Sequence, residues 1–385
     1  MRCTTMFLPV LLMGSSLTLA AADRWPHHDA PGHFSRSSVQ HVNTTILNTT
    51  SMVEFTYDPL IGLDAPKVLP VNRTTWDWWY FDVVSDELAS GDLSSLAVTF
   101  FIASPFGYEP LTNYTTTLAS TIMGTFKNGT PIFINGYPDQ ATVRSEGDVS
   151  AGQWGDYGSW QASPDGKLWT LFYNDPSNGV SGSMTLERRA PPHLPCGPVE
   201  TGGTEQLLPH VGWANIVPDA VGTVNFTVNG SALAFSGVGY HDKNWGDASF
   251  LSGIGNWYWG HGRLGPYTVV FFDAQSTSGG SYTSAYVAKD GKILSSSCVA
   301  GKSVVARPWG GDDTYPPGPT TGNPAGFEIV FAEVEGKEFR VNVTSVLNPI
   351  NWPGYYARWL GLLDGGFTDG SGRWTGVMLD EQLNI

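Results

Sequence analysis

The sequence predicts an all-β protein built from antiparallel strands. From Met52 onward, short apolar runs alternate with glycine-containing turn dipeptides, and no window keeps the 3.6-residue period of an amphipathic helix. Candidate strands cover residues 95–103, 169–173, 267–273 and 327–334. The dipeptides, which are typical of β-hairpins, are Asn128-Gly129, Asn135-Gly136, Asp165-Gly166, Asn178-Gly179, Asn229-Gly230, Asp290-Gly291, Asp364-Gly365 and Asp369-Gly370.

Two segments provide an internal check on the strand predictions, because side chains alternate along a strand and a glycan must point to solvent. In residues 223–229 the apolar side chains share one face, while the glycan acceptors Asn225 and Asn229 share the other. In residues 339–344 three apolar side chains oppose Asn342. Alternation of this kind predicts antiparallel barrels or sandwiches with one solvated face.

Length and loop composition predict two domains. The chain has 385 residues, and a loop rich in Pro and Gly at residues 188–203 divides it nearly in half. We therefore predict an N-terminal β domain over residues 51–205 and a C-terminal β domain over residues 206–385. A flexible arm over residues 23–50 precedes them; its four histidines have no fixed geometry for a metal.

The first 22 residues have the features of a secretory signal peptide. Arg2 precedes an apolar run, and Ala20-Ala21-Ala22 ends the segment before Asp23. No other stretch approaches the roughly 18 apolar residues of a membrane span. We therefore expect a secreted chain without a membrane span. The net charge of -15 repels nucleic acid and excludes it as a partner.

Cysteines and glycosylation sequons agree with secretion. Cys3 lies in the signal peptide, which leaves Cys196 and Cys298 as an even pair in an oxidising compartment and predicts one disulfide. A thiol nucleophile or a metal site has no support, because no Cys-X-X-Cys spacing occurs. The eight Asn-X-Ser/Thr sequons begin at Asn43, Asn48, Asn72, Asn113, Asn128, Asn225, Asn229 and Asn342.

Chemically active side chains are concentrated in residues 237–264. This stretch contains Tyr-His-Asp-Lys-Asn-Trp-Gly at 240–246 and Asn-Trp-Tyr-Trp-Gly-His-Gly-Arg-Leu at 256–264. Ionisable groups beside three indoles need partners if they are buried, so the stretch predicts a functional site in an apolar cleft. The alternative is a packed core of aromatic and glycine-rich strands.

A second aromatic segment, Trp-Asp-Trp-Trp-Tyr-Phe-Asp, occupies residues 76–82. Residues of a strand alternate between its two faces, so a carboxylate accompanies aromatic rings on whichever face points inward. The alternative is an outer strand with both acids in solvent.

Together these motifs resemble the superfamily that unites bacterial carotenoid 1,2-hydratases with fungal lipocalin-like Diels-Alderases. The resemblance is carried by residues 76–81, 237–246 and 257–263, and by the ending Arg-Trp-Thr-Gly-Val-Met-Leu-Asp-Glu-Gln at 373–382. Related proteins often have Glu where Asp77 stands, which shortens the reach of this carboxylate. The signal peptide and sequons are more similar to the secreted hetero-Diels-Alderases of fungal tropolone-sesquiterpenoid pathways.

The resemblance implies two lipocalin-like antiparallel β-barrel or sandwich domains packed together, with an apolar pocket near their interface. It implies a pericyclase that performs a stereoselective (hetero-)Diels-Alder cycloaddition of an apolar polyene or sesquiterpene, such as humulene. The partner would be a heterodiene such as a tropolone quinone methide, and the resemblance leaves open whether the dehydration that forms it is also catalysed. Such a reaction requires no cofactor and no metal, because the enzyme holds the polyene in its reactive fold and places donors where charge accumulates.

The site residues follow from the same resemblance. Asp242, desolvated by Trp245 and Trp259, is the expected general acid, and His241 is the alternative donor. A competing structural interpretation is that Asp242 accepts backbone hydrogen bonds and shapes its loop. The predicted catalytic residues are Asp242, His241, Tyr258 and Arg263. The predicted substrate-binding residues are Asp77, Trp79, Tyr80, Lys243, Trp245, Trp257, Trp259, Trp359 and Arg373.

Two other functions stay open at this stage. One is an isoprenoid hydratase or dehydratase of the carotenoid 1,2-hydratase type, in which a carboxylic acid protonates an alkene. The other is a secreted lipocalin that carries a terpenoid without catalysis. The sequence contains no Gly-X-Ser-X-Gly elbow, His-Glu-X-X-His motif, P-loop or dinucleotide fingerprint, and it leaves the oligomeric state open.

Overall fold

The computed structural model describes residues 37–111 and 115–385, and nearly all of its regular structure is β. The predicted signal peptide, the first part of the predicted arm and Asn113 lie outside the described residues. The prediction of a flexible arm is wrong for Ser37–Asn43, which forms a strand paired with Gln140–Glu146. Among the described residues no helix has the length and apolar character needed to cross a membrane.

The strands of the first half are β1 Ser37–Asn43, β2 Met52–Val53, β3 Val68–Leu69, β4 Trp76–Ser85, β5 Ser95–Ala103, β6 Leu118–Thr125, β7 Pro131–Gly136, β8 Gln140–Glu146, β9 Val149–Trp154, β10 Gly158–Ala162, β11 Leu168–Asp175, β12 Val180–Arg188, β13 His193–Leu194, β14 Gly197–Pro198, β15 Gln206–Leu208, β16 Val211–Val228 and β17 Ser231–Gly246. The strands of the second half are β18 Ile254–Leu264, β19 Tyr267–Ser276, β20 Ser281–Lys289, β21 Lys292–Ser297, β22 Val304–Gly311, β23 Pro324–Val334, β24 Lys337–Trp352, β25 Tyr356–Phe367 and β26 Arg373–Asn384. Among the described residues, helical structure is limited to α1 Phe250–Gly253 and the short 3-10 turns Leu88–Ser90, Glu109–Leu111 and Pro176–Asn178.

Two large antiparallel sheets contain most of these strands. The first has the order β1-β8-β9-β10-β11-β12-β16-β17-β4-β5-β6-β7, and the second has the order β21-β20-β19-β18-β26-β25-β24-β23-β22. The chain passes from the first sheet to the second between Gly246 and Ile254. The change of sheet therefore lies beyond residue 205, where the Pro-rich loop predicts the domain boundary, because β16 and β17 complete the first sheet.

The buried apolar residues form three cores, one within each sheet and one between the two sheets. One fills the first sheet and is rich in tryptophan, with Trp79, Trp154 and Trp160 in mutual contact. A second lies between the two sheets, and a third fills the curled second sheet. Because β4 lies between the first core and the second, all ten of its side chains are buried. The prediction of an outer strand with solvated acids at residues 76–82 is therefore wrong.

The strand and turn predictions are largely confirmed. The four predicted strands lie within β5, β11, β19 and β23. Six of the turn glycines, at positions 129, 166, 179, 230, 291 and 370, adopt the positive φ that favours glycine. Asp364-Gly365 is not a turn but lies inside β25, where a Cβ on Gly365 would meet the Arg340 carbonyl oxygen at 2.3 Å. Glycine is used there for close approach of neighbouring backbones.

The alternation seen in the two sequon-bearing segments is confirmed. In β16 the side chains of Val224 and Phe226 are buried while Asn225 is exposed, and in β24 Asn342 is half-buried between two buried valines. Elsewhere in the chain, the sequon residues Asn43, Asn48, Asn128 and Asn229 are also exposed. At Asn72 the side chain instead donates a hydrogen bond to the Thr49 carbonyl oxygen.

A disulfide joins the Pro-rich loop to the second sheet. Cys196 and Cys298 are bonded, as the sequence predicts, with their Cα atoms 4.5 Å apart. The hydroxyl of Tyr286 donates to the Pro191 carbonyl oxygen, and the hydroxyl of Ser284 donates to that of Pro195. The loop after the twelfth strand is therefore fastened to β20 rather than acting as a free hinge.

We expect the Cys196→Ser and Cys298→Ser double variant to unfold more easily by about 2 to 4 kcal/mol, because the bond closes a loop of 102 residues in the unfolded chain. Chemical denaturation of oxidised wild type and variant measures the difference. Peptide mapping without reductant should identify the Cys196–Cys298 peptide, and two free thiols in the folded protein would contradict the prediction.

Candidate active site

A cavity of about 780 Å³, including the space at its mouth, lies in the core between the two sheets. Both sheets contribute to its wall. The lining residues are Trp78, Tyr80, Thr99, Phe101, Tyr108, Pro110, Thr121, Met123, Asp242, Asn244, Phe250, Trp257, Trp259, Phe272, Trp352, Tyr355, Tyr356, Arg358, Glu381 and Leu383.

The strand register places the polar residues of the first sheet in one row. Tyr80 lies opposite Asp242 across the β4–β17 pair and opposite Thr99 across the β4–β5 pair, and Thr99 lies opposite Thr121. Directly opposed residues of a sheet share a face. These four side chains therefore reach the cavity together, although they come from four different strands.

The second sheet supplies a corresponding row. Trp259 lies opposite Glu381 across the β18–β26 pair, and Glu381 lies opposite Arg358 across the β25–β26 pair. Trp257, two residues before Trp259, shares the same face and also lines the cavity.

Aromatic rings form the apolar wall. Trp78 packs against Phe101 at 5.6 Å and against Tyr108 at 5.0 Å between ring centroids, and Phe101 stacks on Tyr108. Trp257 meets Phe272 edge to face. Rings packed in this way give rigid, flat surfaces, so the wall fits an apolar molecule with unsaturated or aromatic character.

Asp242 is the acidic group of the first sheet's row, and three neutral side chains donate to it. The Asp242 Oδ2 atom accepts hydrogen bonds of 2.8 Å from the Trp213 indole and from the Tyr240 hydroxyl. The Oδ1 atom accepts one of 2.8 Å from the Asn244 amide. The Tyr240 hydroxyl in turn accepts from Asn215. The interpretation that Asp242 accepts backbone hydrogen bonds and shapes a loop is wrong, since it lies inside β17 and its partners are side chains.

Burial makes Asp242 a weak acid. Removal from water raises the pKa of its carboxyl to about 7, and the charge of Glu381 acts in the same direction. The hydrogen bonds from Trp213 and Tyr240 oppose this rise without cancelling it. Because Oδ2 already accepts two donors, Oδ1 is the atom with room for the acidic proton. The carboxyl is thus protonated in a substantial fraction of molecules near neutral pH and can act as an acid.

Glu381, Arg358 and Tyr356 form a second polar group, on the opposite sheet. The Glu381 Oε1 atom accepts from the Arg358 guanidinium at 2.5 Å (Nη2) and 2.9 Å (Nε), and from the Tyr356 hydroxyl at 2.5 Å. Both members of the ion pair are buried. Removal from water raises the pKa of Tyr356 well above its usual range, so its hydroxyl stays a donor.

Three hydrogen-bond donors on the cavity wall have no partner within the described part of the chain. They are the Tyr80 hydroxyl and the indole N–H groups of Trp257 and Trp259. Burial raises the pKa of Tyr80 well above its ordinary value, so this hydroxyl remains protonated. Buried donors without partners favour a ligand that brings acceptor oxygens.

Four of the thirteen predicted site residues line the cavity, namely Tyr80, Asp242, Trp257 and Trp259. The other nine do not. Five lie on the opposite face of β4 and β17, within the core of the first sheet: Asp77, Trp79, His241, Lys243 and Trp245. Their motif neighbours Tyr80 and Asp242 point the other way because side chains alternate along a strand.

The contacts of these residues are structural. His241 stacks on Phe81 and its Nδ1 atom lies 2.9 Å from the Tyr80 carbonyl oxygen. Lys243 forms a buried ion pair with Asp77 and lies 3.5 Å from the centroid of Trp79. The geometry therefore corrects the interpretation of His241 as an alternative proton donor to a ligand in the cavity.

Four further predicted residues lie away from the cavity. Tyr258 and Trp359 are in the core of the second sheet, where the Tyr258 hydroxyl donates to the Thr314 carbonyl oxygen. Arg263 binds Asp219 near the surface, and Arg373 forms an exposed ion pair with Asp364. Trp245 likewise does not desolvate Asp242, because its indole donates to the Glu54 carbonyl oxygen on the other side of the sheet.

Several functional neighbours are missing from the sequence predictions. Tyr240 and Asn244 could have been found, because each is two residues from Asp242 and shares its face. Glu381 lies inside the ending motif at residues 373–382, but nothing local distinguishes it from Asp380. Arg358 joins the site only through long-range strand pairing, for which the sequence gives no signal.

No cluster of three His, Cys, Asp or Glu residues suited to a metal ion occurs within residues 37–111 and 115–385. Independence from cofactors stays a prediction.

Comparison with known proteins identifies a matching family and several relatives. A family model described as Diels-Alderase-like matches residues 34–306. The chain is 37% identical over 348 residues to the quinolone epoxide rearrangement protein asqO of Emericella nidulans, covering 88% of this chain and 92% of the relative. It is 25% identical over 255 residues to the Diels-Alderase ucsH of an Acremonium species, covering 62% and 60%.

A crystal structure of CghA with Sch210972 has a similar fold, with a TM-score of 0.72. It covers 91% of this chain and 99% of its own, at 16% sequence identity. At this identity the match supports the fold alone, and it confirms the predicted all-β, lipocalin-like architecture.

We expect the Asp242→Asn variant to become more stable relative to wild type as the pH rises from 5 to 8. The folded pKa of about 7 lies above the value of about 3.9 for an unfolded Asp. The stability contributed by the bound proton is therefore fully present below about pH 4 and is lost as the pH rises through 7. Asn carries no charge at any pH. Urea unfolding at several pH values measures the change, and the exposed Asp313→Asn serves as control. A difference between Asp242→Asn and wild type that does not vary with pH would contradict it.

Proposed function

The chain belongs to the Diels-Alderase-like family and is an enzyme of the cyclase or pericyclase type, and from this premise we propose that it catalyses an acid-assisted rearrangement or cyclisation of a small apolar molecule. The reaction would take place in the cavity between the sheets. The observation that carries the proposal is Asp242, a buried carboxyl with a pKa of about 7 at an aromatic wall.

An epoxide attached to a quinolone is the substrate class with the most support. The quinolone epoxide rearrangement protein asqO is 37% identical over most of both chains. Asp242 would give its proton to the epoxide oxygen as the carbon–oxygen bond breaks. The aromatic faces of Trp78, Trp257 and Trp259 would stabilise the positive charge left on carbon. A bond migration or an internal attack then forms the new skeleton, and a proton returns to the carboxylate.

Such a reaction is an isomerisation, so it consumes no oxidant and no second substrate. General acid catalysis contributes about 100- to 10,000-fold to a rate when the donor is well placed and its pKa lies near the working pH. Asp242 meets the second condition. The aromatic wall supports a further requirement, because apolar rings around a cationic intermediate reduce its contact with water.

The second candidate is the hetero-Diels-Alder reaction that the motif resemblance implies. Diels-Alderases such as ucsH are among the relatives. Here Asp242 would protonate a departing hydroxyl group, a heterodiene would form, and the aromatic wall would fold an apolar polyene such as humulene onto it. A hydratase or dehydratase would use the same proton. The carrier alternative is disfavoured, because the relatives named for their reactions are enzymes.

We expect Asp242→Asn to lower turnover of a quinolone epoxide by roughly a hundredfold or more, since positioned proton transfer is worth at least this factor. In the wild type, turnover should fall as the pH rises above about 7, because only the protonated carboxyl donates. Product formation is followed by liquid chromatography between pH 5.5 and 9, with circular dichroism to check folding.

The control for this experiment is Asp273→Asn. Asp273 is also a buried carboxyl whose pKa is raised by burial, but it binds Tyr315 and Arg307 outside the cavity. It should leave turnover unchanged. Wild-type turnover by folded Asp242→Asn protein would overturn the role of Asp242. Turnover of a hydroxymethyl heterodiene precursor with humulene, and not of the epoxide, would favour the second candidate.

We also propose that the protein matures in the secretory pathway. The signal-like segment 1–22, the Cys196–Cys298 bond and the exposed sequon residues Asn128 and Asn225 support this localisation. Expression in a secreting fungal host should give a glycosylated protein in the medium. Enzymatic deglycosylation should lower its mass, and Asn225→Gln should remove one glycan. An unglycosylated protein retained in the cytosol would contradict the proposal.

A further inference from the structure

The ion pair of Glu381 and Arg358 has unused hydrogen-bonding capacity. All three donors that reach Glu381 bind its Oε1 atom. No described residue bonds to Oε2, and none bonds to the Nη1 atom of Arg358. Both of these unpaired atoms retain some accessible surface. Both residues line the cavity, and this surface therefore opens into it.

This arrangement offers a ligand one acceptor and one donor from the same bonded pair. Oε2 carries a share of the Glu381 negative charge and accepts, whereas Nη1 belongs to the guanidinium and donates. A secondary amide in a ring presents the complementary set, an N–H beside a C=O. Neither a hydrocarbon nor an ester can satisfy both atoms.

We propose that the Glu381–Arg358 pair binds the amide edge of a secondary lactam, with the lactam N–H donating to Glu381 Oε2 and the lactam carbonyl accepting from Arg358 Nη1. This inference rests on the proposed function in placing the substrate in this cavity, and it names the part of the substrate that is recognised. The flat ring of the lactam would lie against the aromatic wall.

Burial gives this recognition its strength. A buried ion pair is favourable only when its remaining hydrogen-bonding positions are also satisfied, and here two remain open. Hydrogen bonds to charged groups are stronger than those between neutral groups. Tyr356 fixes the carboxylate through its own bond, so the pair is held in place before the ligand arrives.

The position of the pair also orients the substrate. Glu381 and Arg358 belong to the second sheet, and Asp242 belongs to the first. A lactam fixed on one wall therefore turns its substituents towards the acid on the other wall. A single bound orientation explains how one acid could select one bond to break.

A matched pair of probes tests the inference without any turnover. 2-Quinolone has the lactam N–H, whereas coumarin has the same shape with a ring oxygen in its place. Isothermal titration calorimetry of the wild type should show 2-quinolone binding at least about tenfold more tightly than coumarin, because one hydrogen bond to a charged group is lost and a lone pair faces the carboxylate.

In Glu381→Gln the preference for 2-quinolone should shrink or reverse, since the Gln amide can donate to the ring oxygen of coumarin. Glu328→Gln is the matched control, because Glu328 forms a Glu–Arg pair with Arg340 on the same sheet but at the surface. It should bind both probes as the wild type does. Asp242→Asn should also retain the preference, which separates recognition from the acid step.

The comparison of the two probes in the wild type decides the question even if Glu381→Gln fails to fold. Equal affinity for the two probes, or binding of neither, overturns the inference. Retention of the preference in folded Glu381→Gln also overturns it. The binding experiment does not depend on turnover, whereas the test of Asp242 as the acid does. The proposal of lactam binding and the proposed function can therefore fail independently.

Discussion

The structure depends on one constraint, which is that β4 and the adjoining residues 237–246 of β17 have no solvated face. Every side chain of β4 is buried, and so are Tyr240, His241, Asp242 and Lys243 on β17. Side chains on one face fill the core of the first sheet, and those on the other reach the core between the sheets. Each charged group on these strands must therefore find partners inside the protein, because an unpaired buried charge is costly.

The two faces meet this requirement in different ways. One face carries ion pairs, and the other carries a carboxyl that is bound by neutral donors. On the first face, Asp77 is paired with Lys243, and nearby Glu205 is paired with Lys67. On the second face, Asp242 receives only neutral donors, from Trp213, Tyr240 and Asn244. Without a cation beside it, the carboxyl keeps its proton to a higher pH. The same strand pair thus holds a structural ion pair on one side and an acid on the other.

The sequence predicts the strands well because alternation and turn chemistry are local. It also identifies residues 76–82 and 237–264 as the region of chemistry, and Asp242 within it. It does not predict which face of each motif points into the cavity, since His241 and Asp242 are adjacent in the sequence and lie on opposite faces of the strand. That orientation is set by which core forms on each side, a property of the assembled sheets. Arg358 and Glu381 could not be predicted as partners, because 23 residues and a hairpin separate them before the β25–β26 register brings them together.

The division of the site between two sheets bears on how one fold supports different reactions. Relatives of this chain include a quinolone epoxide rearrangement protein and Diels-Alderases. Asp242 belongs to the central strand pair, and because residues there are buried on both faces, few substitutions are tolerated. Arg358 and Glu381 belong to the second sheet. Under the proposals above, substitutions at Arg358 and Glu381 would change which substrate is bound and how it is oriented, while Asp242 stays in place. Under these proposals, recognition belongs to the second sheet and proton transfer to the first, which would allow the substrate to change without loss of the acid.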